Sequence, residues 1–119
     1  MKYRSRQLVK PDDLNASNTL FGGRLLAWID EEAVIFAMCE LEYNNIVTAH
    51  LSSVNFESKA FQGDIIEIGT EVIKLGRSSI TIRCDARNKT TKKTILTIDE
   101  IVFVCVGDDG KAHPHGKSL

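Results

Sequence analysis

Cysteine, proline, tryptophan and histidine are all scarce in this chain of 119 residues, which has three, two, one and three of them respectively. The three cysteines, Cys39, Cys84 and Cys105, are an odd number and form no C-x-x-C pair, so neither a disulfide framework nor a redox motif is indicated. We expect all three to be reduced, buried thiols of a cytoplasmic protein.

Neither sign of charge is in excess, because 15 Lys and Arg nearly balance 16 Asp and Glu, giving a net charge of -1. Binding of nucleic acid through bulk positive charge is therefore not expected. A membrane span and a secretion signal are not expected either. The N-terminal residues lack an apolar run, and the most apolar window, residues 21–39, is interrupted by charged side chains. Those side chains are Arg24, Asp30, Glu31 and Glu32.

The motifs of several common enzyme classes are missing. There is no G-x-S-x-G, no G-x-G-x-x-G and no Walker loop. These absences argue against a hydrolase with a nucleophile elbow and against a bound dinucleotide or nucleoside triphosphate. His113 and His115 lie close together but have no third ligand nearby, so a metal site is not expected. We predict no cofactor.

The hydrophobic pattern predicts one long helix and five strands. From Gly22 to about Glu42, apolar residues recur every three or four positions, which is typical of a helix, with Asn18 or Thr19 as its N-cap. Because this helix is apolar on nearly every side, we expect it to be largely buried. Alternating β-branched residues predict strands over residues 3–9, 46–56, 64–75, 79–88 and 94–106.

Short connections indicate that the last four strands follow one another in hairpin order in an antiparallel sheet. A single apolar helix needs a surface that covers it. We therefore predict an α+β fold in which a curved antiparallel sheet wraps around one long central helix. Residues 1–107 would form one domain, and residues 108–119 a loosely ordered tail. The exposed sheet edges favour dimerisation.

Three features around the start of the helix suggest chemistry: Asn15, the pair Gly22 and Gly23, and Asp30. Two glycines at a helix start leave backbone N–H groups accessible, and such donors stabilise the charge that develops on a carbonyl oxygen under attack. A carboxylate on the helix is able to activate water or to attack directly. Each feature also has a purely structural interpretation. Asn15 would be a turn residue, the glycines would permit close packing, and Asp30 would belong to the solvated helix face.

The spacing of Gly22 and Asp30 separates these groups within one chain. The two residues are eight positions apart, which corresponds to roughly 12 Å at a rise of about 1.5 Å per helical residue. A carbonyl group held at Gly22 would therefore lie far from the Asp30 of its own helix. If the site is catalytic, the sequence predicts that it is shared between two chains whose helices lie antiparallel.

The segment Leu14–Gly23, followed by Asp30, resembles the motif of hotdog-fold acyl-CoA thioesterases, in particular small cytosolic bacterial acyl-CoA hydrolases and their brain-type relatives. That family has an Asn six positions before an aromatic-Gly-Gly and an Asp nine positions after the aromatic, which Asn15, Phe21 and Asp30 match. The strand end, the turn and the Gly-x-Thr-Ser hairpin of the family correspond to Phe56, Gly63-Asp64 and Gly76-Arg77-Ser78-Ser79, with Ser78 in place of the usual Thr. The similarity covers about residues 5–106.

The resemblance implies hydrolysis of an acyl-CoA thioester. Asp30 would be the general base or the nucleophile, while Asn15 and the Gly22 N–H of the facing subunit would hold the thioester carbonyl or the attacking water. Substrate binding would involve Gly23, Lys59, Arg77, Ser78 and Ser79, the last three near the phosphates of coenzyme A. Where the family commonly has Arg-Pro, this chain has Ser58-Lys59, so Lys59 would supply a point charge instead of a guanidinium.

The resemblance also implies a homodimer as the minimal unit, assembled further into a tetramer or a hexamer. Two other functions are compatible with the same residues. One is a non-catalytic acyl-CoA-binding module, which would keep the phosphate contacts and release no thiol. The other is a structural dimeric domain, which would do neither.

Overall fold

The computed structural model describes residues 1–119 and contains one long helix and five strands. In chain order the elements are β1 (Lys2–Leu8), a short 3-10 turn (Pro11–Asp13), α1 (Gly22–Leu41), β2 (Ile46–Phe56), β3 (Ile65–Leu75), β4 (Ser79–Asn88) and β5 (Thr94–Cys105). The predicted helix and the five predicted strands are all confirmed, with ends that differ by one residue at most.

The five strands form one antiparallel sheet in the order β1-β3-β4-β5-β2. The strands β3, β4 and β5 pair as successive hairpins, as predicted. The prediction is wrong for β2, which pairs with β5 and not with β3. Residues 57–64 do not form a tight turn, because they cross towards the loop before α1, where Leu20 N–H donates to Ala60 O at 2.8 Å. As a result, β2 is an edge strand.

One face of the sheet packs against α1 through β3, β4 and β5. The buried helix positions follow the predicted spacing and are Leu25, Ile29, Ala33, Phe36, Ala37 and Leu41. The sheet side of the core is formed mainly by Ile66, Ile68, Ile80, Ile82, Leu96, Ile98, Ile101 and Phe103. Burying each such side chain contributes about 1.5–3 kcal/mol, so this shared layer is the main source of stability.

The opposite face of α1 is open to solvent, so the expectation of burial on nearly every side is wrong for the single chain. Ile35 is 48% exposed. Cys39 lies one turn further along the same face and is exposed too, which corrects the expectation that all three cysteines are buried. Cys84 and Cys105 are buried as predicted. None of the helices combines the length and hydropathy required to cross a membrane.

The N-terminal end of α1 differs from the prediction, because neither Asn18 nor Thr19 is its N-cap. Phe21 occupies the N-cap position, in extended conformation and without a side-chain hydrogen bond to the helix. Asn18, one of the two predicted caps, takes a left-handed conformation (φ 62°) in the preceding turn. At the other end, Glu42 is left-handed (φ 52°) and its N–H donates to Met38 O. The N-terminal turn of α1 is therefore left without a side-chain cap.

The edge strand β2 projects away from the helix. Its exposed apolar residues include Val47 at 48%, Leu51 at 42% and Phe56 at 60%. The radius of gyration is 15.2 Å, compared with about 13.5 Å for a compact domain of this length. The single chain thus leaves a long apolar edge strand uncovered.

The C-terminal residues 108–119 carry little regular structure but are attached to the body of the protein. Ala112 bridges to Val106, and the ring of His113 stacks on Tyr43 with centroids 5.6 Å apart. Lys117 Nζ lies 3.4 Å from Glu42 Oε2. These contacts tie a segment that the sequence predicts to be loosely ordered to the ends of α1 and β5.

Candidate active site

The loop before α1 is organised by the side chain of Asn15. Its Oδ1 accepts the backbone N–H groups of Ser17 at 2.9 Å and of Thr19 at 3.1 Å, and its Nδ2 donates to Thr19 Oγ1 at 3.1 Å. The backbone N–H of Asn15 donates to Thr19 O at 2.8 Å, which closes the loop. Asn15 is therefore a turn residue, as one interpretation of the sequence held. The second hydrogen of Nδ2 is free for a ligand.

The first turn of α1 presents uncapped backbone donors. The N–H groups of Gly22, Gly23 and Arg24 make no hydrogen bond within the chain. Gly22 also lies close to Phe56, because a Cβ added at Gly22 would stand 3.1 Å from the Phe56 ring. Free N–H groups at a helix N-terminus carry partial positive charge. This turn is therefore suited to stabilise a negatively charged oxygen.

Asn15, Gly22 and Lys59 line one cavity of about 380 Å³, and we call these three residues the loop half-site. The cavity wall is otherwise largely apolar and includes Leu20, Leu25, Phe56, Ala60 and Ile95. Lys59 is exposed and forms no ion pair. The structure thus brings together three of the predicted site residues around an apolar cavity with one free cation.

Asp30 lies in a different cavity of about 310 Å³, which it lines together with Gly23 and Leu51. We call these three residues the helix half-site. Asp30 is exposed and has neither an ion pair nor a hydrogen bond. Because α1 is unbroken from Gly22 to Leu41, Asp30 lies roughly 12 Å along the axis from Gly22. The single chain therefore does not bring Asp30 to the loop half-site.

The remaining predicted residues lie in the turn between β3 and β4. Arg77 and Ser78 line a third, smaller cavity of about 150 Å³ with Ala112 and Pro114 of the C-terminal segment. Ser79 is the first residue of β4. Arg77 is exposed and forms no ion pair. This hairpin is separate from both half-sites within one chain.

A group of paired ionisable side chains lies on the other face of the sheet, and we call it the outer-face cluster: Tyr3, Glu67, Asp85, Arg87 and Lys92. Burial raises the pKa of Glu67, but hydrogen bonds from Arg87 at 2.7 Å and Lys92 at 3.2 Å outweigh burial and hold the pKa below its usual range. Burial, together with a hydrogen bond to Asp85, raises the pKa of Tyr3 to about 12. Every residue of the cluster has a hydrogen-bond or ion-pair partner, and Asp85 Oδ1 is its one buried polar atom without a partner. The cluster therefore contributes to stability.

One cavity residue is missed by sequence reasoning. Glu57 lines the same cavity as the loop half-site, beside Lys59. Its signal is weak, because a charged residue directly after a strand is usually a solvated one. Only the packing of residues 57–60 against the loop before α1 shows that it borders the cavity.

The family model of the thioesterase superfamily matches residues 17–95 of this chain. An acyl-CoA thioester hydrolase of Salmonella typhimurium is 28% identical to it, over 92% of this chain and 86% of the relative. A hexameric hotdog-fold thioesterase of Campylobacter jejuni superposes with a TM-score of 0.79 at 26% identity, covering 96% of this chain and 90% of that one. The predicted hotdog fold is thereby confirmed.

An acyl-CoA hydrolase from Staphylococcus aureus, solved in complex with butyryl coenzyme A and coenzyme A, is 33% identical, with a TM-score of 0.83 over 92% of this chain and 66% of that one. Variants of it with an Asp, an Asn or a Thr replaced by alanine have also been solved. Its Asp follows its Asn by fifteen positions, which is the separation of Asn15 and Asp30.

The Thr of that hydrolase follows its Asp by seventeen positions, which falls at Val47 here, next to Thr48. Thr48 is exposed on β2, at the bulge before His50, and pairs with the buried Phe103. It therefore lies on the sheet face that α1 covers, as does Leu51 of the helix half-site, which pairs with Ile101. Sequence analysis did not single out Thr48, because a threonine in a strand carries no signal of its own.

Proposed function

We propose that this chain, which belongs to the thioesterase superfamily, hydrolyses the thioester bond of an acyl-coenzyme A to a carboxylic acid and free coenzyme A. The observation that carries the proposal is that α1 presents both a carboxylate without an ion-pair partner, Asp30, and an N-terminal turn whose N–H groups are free. The similar hydrolases of Salmonella typhimurium and Staphylococcus aureus support acyl-CoA as the substrate class.

The proposed site needs two chains. Within one chain Asp30 and the Gly22 N–H lie too far apart to act on the same carbonyl group, and each lines a separate cavity. A second chain that covers the exposed face of α1 and the apolar edge strand β2 would bring the two half-sites together. The minimal unit is then a homodimer. We expect dimers to assemble further, as in the hexameric thioesterase of Campylobacter jejuni.

In this dimer the loop half-site would bind the thioester carbonyl. The oxygen would accept the Gly22 N–H, with the free Nδ2 hydrogen of Asn15 directed to the same oxygen or to the attacking water. Donors placed where the oxyanion develops lower the activation barrier by a few kcal/mol, because they are already oriented before the reaction. The turn that Asn15 builds with Thr19 holds its amide in place, so the structural and the chemical role support one another.

The carboxylate of the partner's Asp30 would then act on the carbonyl carbon. As a general base it takes a proton from water, whose oxygen attacks the carbon, and the tetrahedral intermediate expels the coenzyme A thiolate, which is protonated on release. As a nucleophile it would attack the carbonyl carbon and expel the coenzyme A thiolate, which leaves an acyl-enzyme anhydride, and water would then hydrolyse this anhydride to the carboxylic acid and the free Asp30 carboxylate. Both routes balance without a cofactor.

Binding of the coenzyme A moiety would rest on the two free cations, Lys59 and Arg77, with Ser78 and Ser79 beside the second. Neither cation is engaged in an ion pair, so both are available for phosphate. Gly23 would add a backbone N–H from the start of α1. The apolar walls of the two cavities would take the acyl chain.

Thiol release measured with DTNB, over short-chain, long-chain and aromatic acyl-CoA substrates, tests the activity. The proposed function predicts release of one thiol for each carboxylic acid formed. Binding of acyl-CoA without release would instead identify a non-catalytic binding module, and absence of both would leave a structural domain.

A mixing experiment tests the shared site. Two inactive variants, Asp30→Asn and Asn15→Ala, are refolded together or co-expressed in equal amounts. If each site combines Asn15 of one chain with Asp30 of another, roughly a quarter of the sites in a random mixture are intact and activity returns to about that level. If both residues act within one chain, the mixture stays as inactive as its components.

A further inference from the structure

In the turn between β3 and β4, three carbonyl groups accept hydrogen bonds from the protein, while two backbone N–H groups are free. Ser79 O accepts the Gly76 N–H at 3.0 Å, Ser78 O accepts the Cys105 N–H at 2.7 Å, and Arg77 O accepts the His115 N–H at 3.2 Å. The backbone N–H groups of Arg77 and Ser78 make no hydrogen bond. All three carbonyls are thus bound to the protein, while two adjacent donors stay available, as in an anion-binding nest.

His115 holds this turn at two points. Besides its backbone bond to Arg77 O, its ring Nε2 lies 3.0 Å from Ser79 O, and its Nδ1 accepts the Lys117 N–H at 2.9 Å. Because Nδ1 accepts the Lys117 N–H, it carries no proton. The ring proton is therefore on Nε2, which donates it to Ser79 O. His115 is also the only residue of 108–119 that is not exposed. Its ring is therefore fully engaged between the tail and the hairpin.

The tail that carries His115 is itself anchored. His113 donates its N–H to Cys105 O at 2.8 Å and stacks on Tyr43, whose hydroxyl donates to Val106 O at 2.6 Å. Lys117 forms an ion pair with Glu42. The hairpin is thereby connected through the tail that carries His115 to the end of α1, and not only to its own strands.

Between the hairpin and the tail lies the cavity of about 150 Å³, several times the ~30 Å³ that one water molecule occupies in the liquid. Its border combines the guanidinium of Arg77, which has no ion-pair partner, and the hydroxyl of Ser78. Free N–H groups, a free guanidinium and a hydroxyl are the donors that phosphate oxygens accept.

We propose that His115 is a positioning residue for the binding of phosphate groups by the Arg77–Ser79 turn. By holding Ser79 O and Arg77 O, it keeps the two free N–H groups and the Arg77 side chain directed to the cavity. The identity of the ligand, the phosphates of coenzyme A, rests on the proposed function. The statement that the tail holds the hairpin does not rest on the proposed function, because it follows from the hydrogen bonds of His115 alone.

Three substitutions separate the two bonds of the ring. His115→Ala removes both. His115→Gln keeps a donor at the position of Nε2 and so the bond to Ser79 O, whereas His115→Asn keeps an acceptor at the position of Nδ1 and so only the bond from Lys117. Lys111→Ala, in the exposed turn of the same tail, is the matched control.

Binding of coenzyme A and of pantetheine, which lacks the phosphates, is measured by titration calorimetry for each variant. We expect His115→Ala and His115→Asn to weaken coenzyme A binding roughly three- to tenfold, the worth of one positioning hydrogen bond, and to leave pantetheine binding unchanged. His115→Gln and Lys111→Ala should bind coenzyme A like the parent. In thiol-release assays the same two weakened variants should show a raised KM at unchanged kcat.

Three outcomes overturn the proposal: unchanged coenzyme A binding by His115→Ala, an equal loss for pantetheine, or retention of binding by His115→Asn but not by His115→Gln. A parent protein that binds neither compound overturns both this proposal and the proposed function. A parent that binds coenzyme A but releases no thiol overturns only the catalytic function, and the comparison of His115 variants then decides the positioning role by itself.

Discussion

The two half-sites of this protein differ in how far a single chain completes them. The loop half-site is held by hydrogen bonds around Asn15 and lines an apolar cavity with a free cation. The helix half-site has an exposed carboxylate with no partner, on a helix face and beside an edge strand that nothing covers. In the proposed function, the loop half-site of one chain would bind the carbonyl group, and the helix half-site of a second chain would supply the carboxylate that reacts with it.

The largest loss of activity should come from replacing Asp30, because it is the one residue of the helix half-site whose side chain is able to act as a base or a nucleophile. Asp30→Asn keeps the size of the side chain and should lower kcat by about a thousandfold, within the 10²–10⁴ range of a general base. Because Asp30 is exposed and unbonded, the thermal unfolding midpoint should not change. Thiol-release assays measure the change in kcat, and scanning calorimetry measures the unfolding midpoint.

Glu31→Gln is the matched control for Asp30, since it removes a neighbouring exposed carboxylate from the same helix. Turnover close to that of the parent in Glu31→Gln is expected. Equal losses in the two variants would mean that the negative charge of the helix, and not the position of Asp30, matters for activity.

A smaller effect should come from Asn15, where the two roles of one side chain can be separated. Asn15→Ala removes the turn bonds to Ser17 and Thr19 and the free donor, so we expect roughly a hundredfold loss of kcat together with a loss of about 1 kcal/mol of stability. Asn15→Asp keeps the acceptor for the N–H groups of Ser17 and Thr19 and removes the Nδ2 donor, and the Thr19 hydroxyl is able to donate to the new carboxylate in place of the bond that it accepted from Nδ2. It should fold with the stability of the parent and still lose turnover.

If Asn15→Asp retains full kcat, the loop half-site acts through the Gly22 N–H alone, and the role of Asn15 is confined to the turn. Turnover and urea unfolding of the two variants, measured side by side, therefore decide whether the loop half-site contains one donor or two.

Local patterns predicted most of this fold, and non-local contacts account for what they missed. The helix and the strands follow from hydrophobic period, which is a property of short segments. The pairing of β2 with β5 was missed because residues 57–64 bind the loop before α1, a contact between segments far apart in sequence. The exposure of Ile35 and Cys39 was missed for a related reason. The apolar pattern of α1 predicts that its faces are buried, but it does not indicate whether the same chain or a second chain packs against each face.

The candidate site divides in the same way. Asn15, Gly22 and Asp30 stand out because their spacing is fixed within a short segment, and the structure places the first two beside one cavity. Glu57 borders the cavity, and His115 contacts the β3–β4 turn, only because distant segments of the chain pack against each other. A single glutamate after a strand, or a single histidine in a tail, does not indicate such packing in the sequence.

A still smaller effect is expected at the β3–β4 turn, which lies outside both half-sites. Arg77→Ala should raise KM roughly tenfold, with kcat within about twofold, because the charge that we propose for phosphate binding would bind the substrate equally before and during reaction. The increase should shrink with added salt, since an exposed cation is screened. Arg83→Ala removes an exposed arginine from the adjoining strand and should leave KM unchanged. A fall in kcat in Arg77→Ala would place this turn in the reacting part of the site.

The smallest effect concerns the outer-face cluster, which serves as a reference because neither half-site includes it. The pKa of Glu67 is held below its usual range in the folded protein, so its ion pairs stabilise the fold above about pH 4.5, and this contribution is lost as the pH falls through the lowered pKa. Glu67→Gln should therefore cost on the order of 1 kcal/mol near pH 7, since Arg87 and Lys92 stay partly solvated, and should cost less below pH 4. Urea unfolding at both pH values checks this, and parallel pH dependences of the two proteins would contradict it. Turnover of Glu67→Gln should equal that of the parent, because no residue of the proposed site belongs to the outer-face cluster.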